Sequence, residues 1–173
     1  YIQENERVDT KKLFNNEIKW LKSLKIKIKI SKLKNFDRAE EMFRRTNQFN
    51  TTHNNLKKSD LFKINKNIKN YLFEISMQDK FGDYGIVSLV HLVNKNKYYQ
   101  IENFLMSCRV FKRQVEKIIL IYLLNQFPSK KQEMYIKISR NEKNSYVQDL
   151  FDESGFVTKE NNSRYKVIKE QLK

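Results

Sequence analysis

The chain has one cysteine, one proline and three glycines among its 173 residues. A single thiol excludes an internal disulfide framework and a cysteine-built zinc site, and it suits a reducing compartment such as the cytoplasm. Scarce glycine and proline leave little material for irregular connections, so the secondary-structure elements should be regular. No apolar run approaches the roughly 20 residues that a membrane-spanning helix requires, and no membrane role is expected. There is no secretory leader pattern, and the sequence opens on Tyr1 instead of Met. Both features point to a segment of a longer protein, with more chain expected before Tyr1.

What is present is the material of a globular core: 39% hydrophobic and 13% aromatic residues, in a length that suits one core and is short for two. The net charge of +15 raises the question of nucleic acid. Lys greatly outnumbers Arg, however, and the charges are scattered, as in Lys25, Lys27 and Lys29, with no dense tract. That pattern reads first as solvated lysine on exposed faces, then as a surface for an anionic partner. Nucleic-acid binding is not expected.

Periodicity predicts a helix from Asp9 or Thr10 to about Leu24, with Leu13, Phe14, Ile18 and Leu21 on its apolar stripe and Trp20 one position off it. Residues 25–30 alternate Lys and Ile, the pattern of a half-buried strand. Asn35 or Asp37 should cap a helix running to Arg45, with Ala39, Met42 and Phe43 facing inward. A long polar loop over residues 46–55 has the amides and hydroxyls of a binding loop. Ser59 or Asp60 should cap a short helix to about Lys69. An antiparallel unit follows: a strand over residues 71–78, a turn at Phe81–Gly85, a central apolar strand over 86–93, a hairpin turn at Asn94–Lys97, and a return strand over 98–107. A largely apolar helix is expected from Lys112 to Gln126, ended by Pro128. A strand over 133–139, a helix capped by Asn141 or Asn144, Gly155 as its stop, and two short strands near Phe156–Val157 and Arg164–Ile168 complete the order.

The order β-α-α-β-β-β-α-β-α-β-β describes an α+β fold: a mixed, mostly antiparallel sheet with helices on both faces. It matches the GNAT acyltransferase order, in which the central strand and helix diverge to bind an acyl-pantetheine. Four segments narrow the resemblance. Arg44 to Thr52 is similar to K-T-N-Q-F-N-L-T-T with the Leu missing, and Asp79 to Gly85 to D-R-F-G-D-x-G. Phe104 to Glu116 is similar to F-L-x-S-C-R-V-x-G-R-x-V-E, and Lys143 to Phe156 to K-N-x-x-V-x-x-F-Y-x-x-x-G-F. On these motifs the chain resembles the C-terminal GNAT-like domain of FkbH-like proteins, the HAD subfamily IIIC. The resemblance implies a linker helix over residues 1–24, leading from an N-terminal HAD-like domain, and a GNAT-like domain over 25–173. It also implies transfer of an acyl group, such as glyceryl, to an acyl carrier protein. The phosphate chemistry, with its Mg ion, belongs to the HAD domain and its D-x-D-x-T motif, which this chain lacks. The implied ligand here is the phosphopantetheine of a carrier protein, or coenzyme A.

Cys108 is the candidate nucleophile, at the end of an apolar strand where a helix is expected to begin and cations follow, an environment that favours a thiolate. The alternative is a small buried hydrophobe. A two-residue turn at Lys95–Asn96 would put Asn94 opposite Lys97, His91 opposite Gln100 and Asp83 opposite Cys108. His91 then lies too far along the strand to serve as its base and reads as a sheet-face residue. Asp83 is a weak catalytic candidate that can equally hold the turn. His53, in the polar loop, is a weak candidate base. Asn47, Asn50, Thr51 and Thr52 are candidate substrate contacts or else knit their own loop. Arg109, Lys112 and Arg113 are candidates for phosphate or pantetheine. Lys112 and Gln114 stand where the family's R-V-x-G-R-G pattern has glycine, which speaks against coenzyme A bound in the usual manner by bare backbone N–H groups. A domain that docks a carrier protein or other anionic partner without chemistry is the alternative reading.

Overall fold

A computed structural model describes residues 16–127, 133–153, 157–159 and 163–172. Its described elements are α1 (Glu17–Ser23), β1 (Lys27–Lys32), α2 (Phe36–Arg45), α3 (Lys58–Lys66), β2 (Asn70–Asp79), β3 (Gly82–Asn94), β4 (Tyr98–Met106), α4 (Val115–Gln126), β5 (Glu133–Lys137), α5 (Ser145–Glu153), β6 (Val157–Lys159) and β7 (Arg164–Lys166). The strands form one seven-stranded sheet in the order β1-β2-β3-β4-β5-β7-β6. Every neighbouring pair is antiparallel except β4 and β5, which run parallel.

Alternation explains how the sheet acquires two cores. Adjacent residues of a strand point to opposite faces. On β2, Phe73, Ile75 and Met77 join a cluster with Ile119, Leu120 and Leu123 of α4, while Leu72 joins Ala39, Met42 and Phe43 of α2 and Leu61 of α3. Helices therefore cover both faces, as expected. β1 is an edge strand in this order. Its Lys27 and Lys29 stay exposed while Ile28 and Ile30 pack inward, a charge pattern that discourages pairing with another chain. Asn35 is the cap of α2, its Oδ1 accepting from the Arg38 N–H at 2.9 Å.

Several boundaries differ from expectation. In α1, Trp20 and Leu24 are buried and Ile18 is 60% exposed, so the inner stripe is displaced. The Leu24 carbonyl accepts from the Lys80 N–H at 2.9 Å, which draws that face onto the β2–β3 turn. Leu13 and Phe14 lie outside the described residues, as do Pro128, Gly155 and Phe156. Asp60 sits inside α3 instead of capping it, and its Oδ2 accepts from the Lys57 N–H at 3.1 Å. α4 begins at Val115, not Lys112, because Lys112 and Gln114 take left-handed backbone angles (φ 61° and 57°) that no right-handed helix contains.

The β3–β4 register is also shifted. The turn is longer than two residues: Asn94 pairs with Tyr99, Asn96 is left-handed, and the Asn94 Oδ1 accepts from the Asn96 N–H. A bulge between His91 and Leu92 then places His91 opposite Asn103. Asp83 pairs with Gln78 of β2, and the β3–β4 ladder ends at Ser88 and Met106, so Asp83 does not face Cys108.

His91 lies on the sheet, as its strand position implies, and is 8% exposed. Its Nε2 donates to Asn70 Oδ1 at 2.9 Å, and its Nδ1 accepts from Asn103 Nδ2 at 3.2 Å. Both bonds suit a neutral ring, and burial pushes its pKa down to about 4 from 6.5. The unfolded imidazole takes its proton near pH 6.5 and the folded one only near 4, so stability is lost as pH falls through that window. The loss should be on the order of 3 kcal/mol. Urea unfolding measured from pH 7 to 4 should show it, and His91→Gln should flatten the dependence.

Candidate functional site

The parallel ladder of β4 and β5 is short, joining Tyr98–Ile101 to Glu133–Ile136, and beyond it the strands part. β3 keeps one edge of β4 paired as far as Met106. The other edge is taken by the chain's own polar loop. The Thr51 N–H donates to the Phe104 carbonyl at 3.2 Å, the Phe104 N–H to Thr51 Oγ1 at 3.0 Å, and the Met106 N–H to the Phe49 carbonyl at 2.9 Å. On the far side, the Ser139 N–H donates to the Thr51 carbonyl at 2.7 Å. Asn144 Nδ2 donates to the carbonyls of both Asn50 and Ser139 at 3.0 Å. The loop thus closes the gap from β4 to the end of β5.

This closure uses the residues expected to meet substrate. Asn50, Thr51 and Thr52 are buried. Asn50 Oδ1 accepts from the Thr52 and His53 N–H groups, and Thr52 Oγ1 donates to Asn103 Oδ1 at 2.5 Å. Their polar atoms knit the loop, and Asn47 alone of the four is exposed. Phe49–Thr52 thus occupy the space between the parted ends of β4 and β5.

Outside the closed gap, a cleft of about 690 Å³ opens between α2 and the connection from β4 to α4. Met42, Phe49, Met106 and Phe111 supply apolar surface, and Arg38, Arg45, Arg109, Asn47 and Cys108 supply polar groups. Cys108 is exposed, not a buried hydrophobe. It opens a three-residue 3-10 turn, Cys108–Val110, and α4 starts seven residues later. The helix end expected beside the thiol is therefore absent, and the neighbouring cation is Arg109. That side chain is steadied by Ser107 Oγ at 3.2 Å and the Tyr84 carbonyl at 3.4 Å.

The other candidates fall elsewhere. Arg113 is 5% exposed. Its Nη1 donates to the Tyr84 hydroxyl at 2.5 Å and lies 3.6 Å from Asp79 Oδ2, with the guanidinium 4.9 Å from the Tyr84 ring. It clasps the Asp79–Gly85 motif to the cysteine motif. Lys112 is exposed and does not line the cleft. Asp83 Oδ1 accepts from the N–H of left-handed Gly85 at 2.7 Å and so holds that turn. The His53 imidazole has its pKa lowered by burial and then by Lys143, and its Nε2 is buried without a partner among the described residues. Neither His53 nor Asp83 lines the cleft.

Sequence reading missed Arg38, Arg45 and Phe111. The arginines are seven residues apart on α2 with Glu41 between them, a spacing that puts all three on one helix face and could have been noticed. Phe111 stacks on Tyr146 at 4.2 Å with 4° between the rings, a contact no local pattern announces. Among the described residues no cluster of His, Cys, Asp and Glu could hold a metal ion, and no helix is long and apolar enough to cross a membrane.

Left-handed angles cost a side-chain-bearing residue about 1–2 kcal/mol. Lys112→Gly and Gln114→Gly should therefore each stabilise the protein by about 1 kcal/mol in urea unfolding. Asn144→Ala should destabilise it by roughly 2–3 kcal/mol, because two carbonyls lose their shared donor. A neutral result by the same measurement would show that the loop holds without it.

No family model matches the chain, and no curated protein does. Solved structures do. The PaiA N-acetyltransferase from Thermoplasma acidophilum, in complex with coenzyme A, superposes with a TM-score of 0.57 at 12% identity, over 81% of this chain and 96% of that one. A variant of the spermidine N-acetyltransferase SpeG from Vibrio cholerae gives 0.57 at 10% identity, over 84% and 95%. A domain from Methanocaldococcus jannaschii gives 0.54 at 17% identity, over 82% and 96%. Identities this low speak to the fold alone: the chain has the GNAT acyltransferase fold.

Proposed function

We propose that this is the acyl-transfer domain of an FkbH-like protein, in which Cys108 carries a glyceryl group as a thioester on its way to an acyl carrier protein. The carrying observation is the placement of the chain's one thiol. It is exposed in a large cleft with Arg109 beside it, while the gap between β4 and β5 is closed by the chain itself. The N-acetyltransferases that share the fold support acyl transfer as the class of reaction. The motifs that resemble those of FkbH-like proteins support a carrier protein as acceptor and a HAD-type domain of the same polypeptide as the source of the activated acyl group.

The chemistry is two exchanges at a carbonyl. The Cys108 thiolate attacks the activated acyl carbon, a C–S bond forms, and the donor's leaving group departs with its electron pair. The thiolate of the carrier's pantetheine arm then attacks the same carbon and displaces Cys108. Nothing is oxidised, and the thiol protons exchange with solvent at this open site. Positive charge from Arg109 would stabilise the oxyanion that develops in each step.

The second reading, a module that docks a carrier protein without chemistry, is favoured by two observations. The strand gap is filled, and Lys112 and Gln114 replace glycine in the loop before α4. Intact-mass spectrometry after incubation with glyceryl-loaded carrier protein separates the two. An acyl adduct on the wild type that disappears in Cys108→Ser supports transfer. Carrier binding that persists in Cys108→Ser, with no adduct on either protein, sinks transfer and leaves docking.

A further inference from the structure

We infer that the Cys108 cleft is an anion site, in which Arg38 and Arg45 of α2 face Arg109 and together receive a phosphate carried by the ligand. Arg38 and Arg45 lie seven residues apart, about two helical turns and ~10 Å along the axis, so both heads reach the same side of α2. Glu41 sits between them and holds both: Arg38 Nη1 donates to one carboxylate oxygen at 2.6 Å, and Arg45 Nη1 donates to the other at 2.7 Å. These two bonds hold the Glu41 carboxyl below its usual range, with the Arg38 contact the larger influence. Each guanidinium has about five N–H donors, so one bond to Glu41 orients it and leaves most donors for a ligand.

The charge balance points the same way. Three guanidiniums line the cleft, and no carboxylate does among the described residues; Glu41 pairs with two of the three. Arg109, on the connection from β4 to α4, lines the same cleft and is steadied by Ser107 and Tyr84. Met42, Phe49, Met106 and Phe111 line the same cleft with apolar side chains, while the Arg45 side chain stays 71% exposed and open to an incoming anion. A volume of about 690 Å³ far exceeds an inorganic phosphate and suits a phosphate ester with an organic tail. Cys108 shares the cleft, so the tail of such an ester is brought to the thiol.

The choice of ligand rests on the acyl-transfer reading; the anion site itself does not. Two sources carry the same chemistry: the phosphate of a pantetheine arm, and a phosphate on the acyl donor.

The sole cysteine makes the test direct. Alkylation of Cys108 should be measured with anionic iodoacetate and neutral iodoacetamide. In the double variant Arg38→Ala with Arg45→Ala, iodoacetate should slow by roughly tenfold while iodoacetamide changes little, which also checks that the fold survives. Arg38→Lys with Arg45→Lys should keep most of the iodoacetate rate. Inorganic pyrophosphate should protect wild-type Cys108. Protection by 4′-phosphopantetheine but not by pantetheine assigns the carrier arm; protection by a phosphorylated hydroxy acid but not by phosphopantetheine assigns the donor. Equal slowing of both reagents in the alanine variant, or no protection by pyrophosphate, overturns the site. An acyl adduct on Cys108 without protection defeats the anion site alone, and protection without any adduct defeats acyl transfer alone.

Discussion

The free edge of β4 is the constraint on which the rest of the site depends. Once β5 diverges after Ile136, the N–H groups of Phe104 and Met106 and the carbonyl of Phe104 face a gap in the middle of the protein. Buried backbone groups left unpaired cost several kcal/mol together. The segment Phe49–Thr51 removes that cost by running along the edge as a short irregular strand, with Thr51 using its hydroxyl as well as its backbone. Phe49 is fully buried and packs edge-on to Phe104 at 5.0 Å, so the same segment also fills the core beneath.

Three other features follow from this closure. Asn144, at the entry to α5, holds the loop to the end of β5. Asn103 links the loop through Thr52 to His91 and so to Asn70 at the start of β2. α2, which leads directly into the loop, is set so that Arg38, Met42 and Arg45 form one wall of the cleft. A fold also seen in a coenzyme A complex here has its parted strands bridged by its own chain, and the exposed Cys108 lies in the cleft outside. The clasp of Arg113 onto Asp79 and Tyr84 then fixes the connection that carries Cys108 and Arg109.

Much of the fold was legible because it follows from local periodicity. The Lys-Ile alternation of β1, the continuous apolar run of β3, and the inward triplet Ala39, Met42 and Phe43 each state a burial pattern directly. The misreadings share one cause. The α1 stripe, the β3–β4 register and the start of α4 depended on a tertiary contact, a bulge at His91 and left-handed residues at Lys112 and Gln114. None of these has a repeating signature.

The sequence by itself determined the α+β order, the two-faced sheet, the single thiol and the motifs that carry the family resemblance, because these depend on residue type and short-range spacing. Tertiary structure alone decided which polar residues are taken up by the fold and which line the cleft. Asn50, Thr51 and Thr52 have the chemistry of a binding loop, yet Asn50 uses its side chain within the loop and a strand more than 50 residues away claims the hydroxyls of Thr51 and Thr52. Arg38 and Arg45 resemble ordinary surface charges until the fold brings Cys108 and Arg109 into the same cleft. Long-range pairing settles such competition, since a buried donor or acceptor must be satisfied before any side chain is free to bind something else.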